Sequence, residues 1–150
     1  MRGLCDHLLL LSAAALWLAA VPADRVRADD STFTSTAGLT SASGAEIYSR
    51  ICQGCHMPQG QGAVGAGRYP NLSANPKLVS WEYVALTVLN GRNNMPPFGL
   101  PADRVEETRT VHLSDSQIAD VVNYVRSHFG NNYKTKVAAK QVAMLPHPPL

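Results

Sequence analysis

The sequence predicts an all-α domain of three or more short helices joined by long loops. Three observations lead there. Two capping boxes, Ser43-Gly44-Ala45-Glu46 and Ser114-Asp115-Ser116-Gln117, each open a stretch whose apolar residues recur at helical spacing. A third such stretch follows Ser80. Between them lie segments without periodicity that hold many of the chain's 11 glycines and 10 prolines, which marks them as loops. With 150 residues the chain can bury one modest core. Its 45% hydrophobic and 16% charged residues exclude a wholly disordered chain. A net charge of +2 gives no electrostatic case for binding nucleic acid or an anionic membrane.

Residues 1–28 read as a secretory signal peptide. Arg2 provides the early positive charge, Leu8 to Val21 is an uncharged, mostly apolar run, and Val26-Arg27-Ala28 ends in a small residue. The run is shorter than the roughly 20 residues a membrane span needs, so no transmembrane span is expected in the mature chain. The reading places the mature protein in the periplasm. Residues 29–42, rich in Ser, Thr, Ala and Gly, are expected to form a flexible leader. The domain proper is then 43–131, with 132–150 as a C-terminal extension.

Each element has its own warrant. The first helix starts at the Ser43 box and presents Ala45, Ile47, Tyr48 and Ile51 as its apolar face. Residues 57–76 hold four glycines and three prolines and form a long loop, normally a functional feature in a compact domain. Ser80 caps a helix from Trp81 to Asn90 with Val84 and Val88 on one face, and Gly91 stops it. Residues 92–112 form a second loop. The last helix is expected over Asp115–Phe129, with Ile118, Val121, Val122 and Val125 as its core stripe and Gly130-Asn131 as its end.

Cysteine placement supplies the chemistry. Of three cysteines, Cys5 leaves with the signal peptide. Cys52 and Cys55 remain, in Cys52-Gln53-Gly54-Cys55-His56, the pattern of c-type haem attachment. Thiols three residues apart on a helical turn can each form a thioether to one vinyl group of one porphyrin. The next residue then lies under the ring, where its imidazole can ligate iron. A thioredoxin-type motif would need a βαβ setting, which the flanks lack. A zinc site would need a second close pair of ligands, and none follows. A disulfide across two residues would close almost no loop.

A low-spin carrier needs a second axial ligand. Met57 adjoins His56 and cannot reach the opposite face. Met144 and His147 lie in a Pro-ended tail, and His128 lies at the end of the last helix. Met95, in Asn93-Asn94-Met95-Pro96-Pro97-Phe98-Gly99, sits in mid-loop, where the prolines stiffen the chain behind its sulfur. Met95 is the expected ligand. His112, just before a helix cap, stays open as an alternative, and so does Met95 as a core filler.

Residues 43–130 resemble the class I cytochrome c family. The likeness rests on Gly44-Ala45-x-x-Tyr48, Cys52-Gln53-Gly54-Cys55-His56, Pro70-Asn71-Leu72, Met95-Pro96 and Ile118-Ala119-x-x-Val122-Asn123-Tyr124-Val125-Arg126. More narrowly, Tyr69-Pro70-Asn71-Leu72-x-x-Asn75-Pro76 and Asn123 to Asn131 resemble the cytochrome c subunits or domains of bacterial alcohol, gluconate and sugar or aldehyde dehydrogenases. The resemblance implies the cytochrome c fold wrapped around one covalently bound haem c. It implies that Pro70 accepts a hydrogen bond from His56 through its carbonyl. It also implies that the first and last helices cross, with Gly44 or Ala45 against Tyr124. The loop from Pro101 to His112 and the tail past Asn131 exceed the family's minimal pattern.

The expected function is electron transfer without catalysis of its own. The haem iron, held by His56 and Met95, would cycle between Fe(II) and Fe(III). The partners would be redox proteins: a periplasmic or membrane-bound dehydrogenase as donor, and a quinone, oxidase or cytochrome as acceptor. From Gln53 to Gly67 there is no Lys, Arg, Asp or Glu, so the haem edge is expected to be an uncharged docking face. Met57, Pro97 and Phe98 are its expected exposed apolar residues, unless Phe98 packs inward. The alternative is a haem enzyme or gas sensor with an open sixth coordination site, against which Met95 argues.

Overall fold

The structure is a computed structural model that describes residues 39–65, 67–104 and 111–149. The expected signal peptide, leader residues 29–38 and loop residues 105–110 lie outside the described residues.

Ser43 opens the first helix through a capping box. Its hydroxyl accepts from the Glu46 amide, while the Glu46 carboxylate accepts from the Ser43 amide at 2.8 Å. These bonds hold the Glu46 carboxyl below the usual carboxylate range. Helix α1 spans Gly44–Ile47 and passes directly into a π turn over Tyr48–Cys52, then into α2, Gln53–His56. The helix thus delivers both thiols and the imidazole within its final turns. Met57, at φ 66°, ends it. Ile47 and Tyr48 are buried as expected, but Ala45 is exposed. Gly44 makes the crossing instead, and is itself buried.

The loop after α2 folds back as a small antiparallel pair, β1 (Ala63–Val64) and β2 (Arg68–Tyr69), with Ala63 opposite Tyr69. No alternation in the sequence announces these two-residue strands. A 3₁₀ turn over Pro76–Val79 leads to α3, Trp81–Asn90, which Ser80 caps by accepting from the Tyr83 amide at 3.1 Å. Gly91, at φ 71°, stops α3 at the expected residue; a Cβ there would sit 2.5 Å from the Met95 carbonyl oxygen. A short 3₁₀ turn covers Ala102–Arg104. Helix α4 spans Asp115–Ser127, two residues shorter than expected. Phe129 and Gly130 both take positive φ, so the chain turns away at His128.

The core is built where the periodicity placed it. Val84, Val88, Ile118, Val121, Val122 and Val125 are buried, joined by Leu89 and Leu113. Helices α1 and α4 cross at Gly44, where a Cβ would lie 2.2 Å from the Asp120 carbonyl oxygen and 3.0 Å from Tyr124 Cβ. Tyr48 fills the space beside this crossing against the rings of Tyr124 and Phe129, at centroid distances of 5.6 and 4.7 Å.

Both flanking segments carry more structure than their composition announces. Of the expected leader, the described residues 39–42 form a turn with Leu39 buried, and the Leu39 carbonyl accepts from the Gln117 amide group at 2.6 Å. The tail beyond Asn131 is a strap across α4. Asn123 both donates to and accepts from the Val137 backbone. Arg126, buried to 2% exposure, donates to the carbonyls of Leu78, Val79 and Thr135. A last short helix, α5 (Ala139–Val142), buries Val142 completely.

Candidate haem-binding crevice

A cavity of about 1520 Å³ lies among these elements. The helix end contributes Cys52, Cys55 and His56 to its lining. The loop behind α3 contributes Met95 and Phe98, and α4 contributes Val121, Val122 and Val125. The Cys52-Cys55-His56 helix end, Pro70 and Met95, well separated in sequence, therefore line one space.

The two cysteines are free thiols, Cys52 partly buried and Cys55 exposed. Burial, with a smaller contribution from Cys55, pushes the Cys52 thiol up to about 12. It is therefore a neutral thiol in the unmodified chain. The His56 ring is buried, with its Nδ1 3.1 Å from the Pro70 carbonyl oxygen. A carbonyl can only accept, so the contact places the ring proton on Nδ1 and leaves Nε2 as the lone-pair donor. Burial lowers the His56 pKa, and the Pro70 contact opposes that shift. The imidazole is thus kept neutral, the form that binds metal.

Met95 is half-buried at the edge of the apolar core. Its amide donates to the Arg92 carbonyl at 2.9 Å, and the Arg92 amide returns a bond of 3.0 Å. The next residues return to α3, with Phe98 N–H on Val88 O and Gly99 N–H on Leu89 O, both 3.0 Å. The histidines that compete with Met95 have other partners. The His112 ring meets the Leu100 carbonyl, His128 stacks on Tyr124, and His147 contacts Asp115.

Phe98 is only 9% exposed, which removes it from the expected exposed edge. Met57 and Pro97 are half-buried. Val64, on β1, is 84% exposed, a large apolar residue that the uncharged stretch offers to solvent. The sequence reading also missed the charges around the crevice. Arg50, Arg68, Lys77 and Arg92 line it, and no carboxylate does among the described residues. Arg92 stacks on Tyr83 and donates to its hydroxyl. Scattered over 43 positions of sequence, these cations form no run that a linear reading could find.

The lining therefore combines two thiols, a neutral imidazole, a thioether, apolar walls and cations without carboxylates. That set fits a flat apolar macrocycle bearing vinyl groups, a metal and carboxylates, and it defines a haem-binding protein of the c type.

Comparison with known proteins agrees. Residues 41–129 match the family model for cytochrome c. The chain belongs to the cytochrome c family; it carries covalently bound haem c and serves electron transfer. It is 32% identical over 143 residues to the cytochrome c subunit of the quinone alcohol dehydrogenase of Gluconobacter oxydans, covering 90% of this chain and 30% of that one. It is 33% identical over 120 residues to the gluconate 2-dehydrogenase cytochrome c subunit of Pantoea cypripedii, covering 72% and 25%. With the fructose dehydrogenase cytochrome subunit of Gluconobacter japonicus the identity is 36% over 128 residues, covering 77% and 24%. The chain thus spans less than a third of the length of these relatives.

Proposed function

We propose that this chain is a periplasmic single-haem electron carrier that accepts electrons from a dehydrogenase, as its partner or its subunit. In this reading Cys52 and Cys55 would hold the haem through thioethers, and His56 and Met95 would ligate its iron. Pro70 orients the imidazole. Bound there, the haem supplies a one-electron Fe(II)/Fe(III) couple. The residues supply the rest. The Pro70 carbonyl makes His56 a stronger donor. Val121, Val122, Val125 and Phe98 give the crevice apolar walls. Pro96 and Pro97 limit the motion of the Met95 loop, so little rearrangement accompanies a change of charge.

The observation that carries the reading is the gathering of the Cys52-Cys55-His56 helix end and Met95 on one cavity. The names of the relatives support a dehydrogenase as the donor. The uncharged Gln53–Gly67 stretch, with Val64 at its surface, supports docking through that edge. A quinone, an oxidase or another cytochrome would take the electron onward.

Met95→Ala tests the ligand set. The haem should stay covalently attached, since the thioethers do not involve Met95. The midpoint potential should fall by on the order of 0.1 V, a fraction of the ~0.8 V that axial ligands span. The reduced protein should bind carbon monoxide, and the methionine–iron band of the oxidised protein should vanish. An unchanged potential, in a wild type that shows no methionine–iron band to lose, would overturn the assignment and return His112 to consideration.

A further inference from the structure

We infer that Asn131 is a positioning residue for the Pro70 carbonyl, and through it for the His56 imidazole. The inference rests on the reading of His56 as iron ligand. It extends control of that ligand to a residue 75 positions away in sequence.

Pro70 has no amide proton, so it cannot anchor itself by donating a bond. The direction of its carbonyl depends on the segment that follows, residues 71–75. Asn131 holds that segment. Its side chain is buried, and its amide nitrogen donates to the carbonyls of Leu72 and Val125, both at 2.8 Å. Its oxygen accepts from the Asn75 amide at 2.9 Å. One side chain thus joins both ends of the 72–75 turn to the last turn of α4. The Val125 carbonyl lies in that turn, where helical partners run out, so the bond also satisfies an otherwise open acceptor.

Neighbouring bonds act in the same direction. The Phe129 carbonyl accepts from the Ala74 amide at 2.9 Å and from the Ser73 hydroxyl at 2.8 Å. The other flank of Pro70 is fixed by Gly62, where a Cβ would stand 2.4 Å from the Tyr69 carbonyl oxygen and 2.8 Å from the Pro70 carbonyl carbon. Gly62 itself donates to the His56 carbonyl at 3.0 Å. The peptide that accepts from His56 therefore packs closely on Gly62 on one side and is tied through the 72–75 turn to Asn131 on the other. Release of the Asn131 side leaves three polar groups without their partner and loosens the carbonyl, which the Leu72 and Ser73 amides on the Gly60 carbonyl then hold at one end alone. A weaker bond to Nδ1–H makes the imidazole a poorer donor, which disfavours the oxidised state and raises the potential.

The test uses the reduced holoprotein and its Asn131→Ala, Ser73→Ala and Asn123→Ala variants. Asn123→Ala is the control: it cuts two bonds between α4 and the tail, and neither reaches residues 70–75. Three quantities are read: solvent exchange of the His56 Nδ1 proton by NMR, the midpoint potential, and the urea midpoint. In Asn131→Ala the ring proton should exchange roughly tenfold faster, the scale of one lost buried hydrogen bond. The potential should rise. Ser73→Ala should move both in the same direction by less. Asn123→Ala should lower the urea midpoint and leave exchange and potential unchanged. Equal changes in the Asn131 and Asn123 variants would reduce Asn131 to a structural role and overturn the inference. Should Asn131→Ala fail to fold, an unchanged ring-proton exchange in Ser73→Ala overturns it equally. The exchange ratio reads the Pro70 coupling whether or not His56 ligates iron. Ligation is read separately, from the haem-induced shift of the same proton, so the two readings fail independently.

Discussion

Residues 57–76 carry Pro70 over His56, and residues 91–98 carry Met95. The two loops line the same crevice but are held differently. The first is tied to the far end of α4 by bonds from Asn131, Phe129 and Tyr133, across 55 to 59 positions of sequence. The second is tied chiefly to the helix it has just left, through Phe98 to Val88 and Gly99 to Leu89, with Leu113 donating to the Phe98 carbonyl. A loop held by long-range bonds opens only when distant elements separate. A loop held by near neighbours can open alone, at lower free energy. The histidine wall is thus coupled to the global fold, whereas the methionine wall, stiffened within itself by Pro96 and Pro97, can separate without it. On the proposed ligand set, the exchangeable ligand would then sit on the segment that separates without the rest of the fold.

The largest effect should come from removing the histidine. His56→Ala takes away the imidazole and its bond to Pro70 at the centre of the tightly held wall. With a cavity of this size left unfilled, the chain should not accumulate as a stable holoprotein. A haem stain of the whole-cell extract and calorimetry check this. A folded apoprotein with a cooperative transition would show that the core of α3 and α4 suffices by itself.

Next is the crossing that supports the histidine wall. Gly44→Val places a side chain where a Cβ already meets the Asp120 carbonyl oxygen at 2.2 Å. Backbone on both sides cannot yield as a flexible side chain would, so α1 must shift from α4. The expected cost is about 3 kcal/mol, at the upper end for overpacking. Urea unfolding measures it. The absorption of the haem should report the shift on the histidine side while carbon monoxide binding stays absent, because Met95 does not lie on α1.

A smaller effect is expected on docking. If the partner meets Val64 and the uncharged stretch, its reduction of this protein should depend weakly on salt. Between 0.1 and 1 M salt the Debye length falls from about 10 to about 3 Å. The rate should change by no more than about threefold over that range, whereas a charge-steered encounter loses far more. Stopped-flow reduction by the proposed dehydrogenase partner decides it. A steep fall would transfer the docking role to Arg50 and Arg68, which flank the stretch.

The difference between the walls also explains what could be read from the sequence. Local rules reach local structure. Capping at Ser43, Ser80 and Ser114 and the stop at Gly91 lie at the expected residues, as do the buried faces of α3 and α4. The Cys52-Cys55-His56 spacing carries its own chemistry. The histidine wall is another matter, because Asn131 and Ser73 act across more than 50 positions, and the helix-end signal at Gly130-Asn131 says nothing of those distant partners. Leu39 and the tail were obscured for the same reason. A polar, Pro-bounded segment reads as solvated excess until Asn123 and Arg126 are seen to supply its partners. Phe98 stays open between edge and interior in the sequence because a loop residue's burial depends on what folds over it; the structure buries it.

The smallest predicted effect concerns the outer support of the methionine wall. Asn90, at the end of α3, donates to the Pro146 carbonyl at 3.0 Å, and His147 beside it reaches Asp115 on α4 at 2.8 Å. The strap thus closes over the helix from which the Met95 loop departs. The bond to Asp115 raises the His147 pKa; burial opposes the rise, and the Leu145 carbonyl reinforces it. A group whose folded pKa is raised stabilises most below its unfolded value, about 6.5 for histidine, and loses that contribution as pH rises through the folded value. Both side chains are 35% exposed, so solvent screens the pair and the effect is modest. The wild type should melt about one or two degrees above His147→Ala at about pH 5.5 and coincide with it well above neutrality. Paired thermal scans of the two proteins across that range measure the difference. A gap that widened with rising pH would mean that the neutral ring, bonded to Leu145, holds the strap in place of the ion pair.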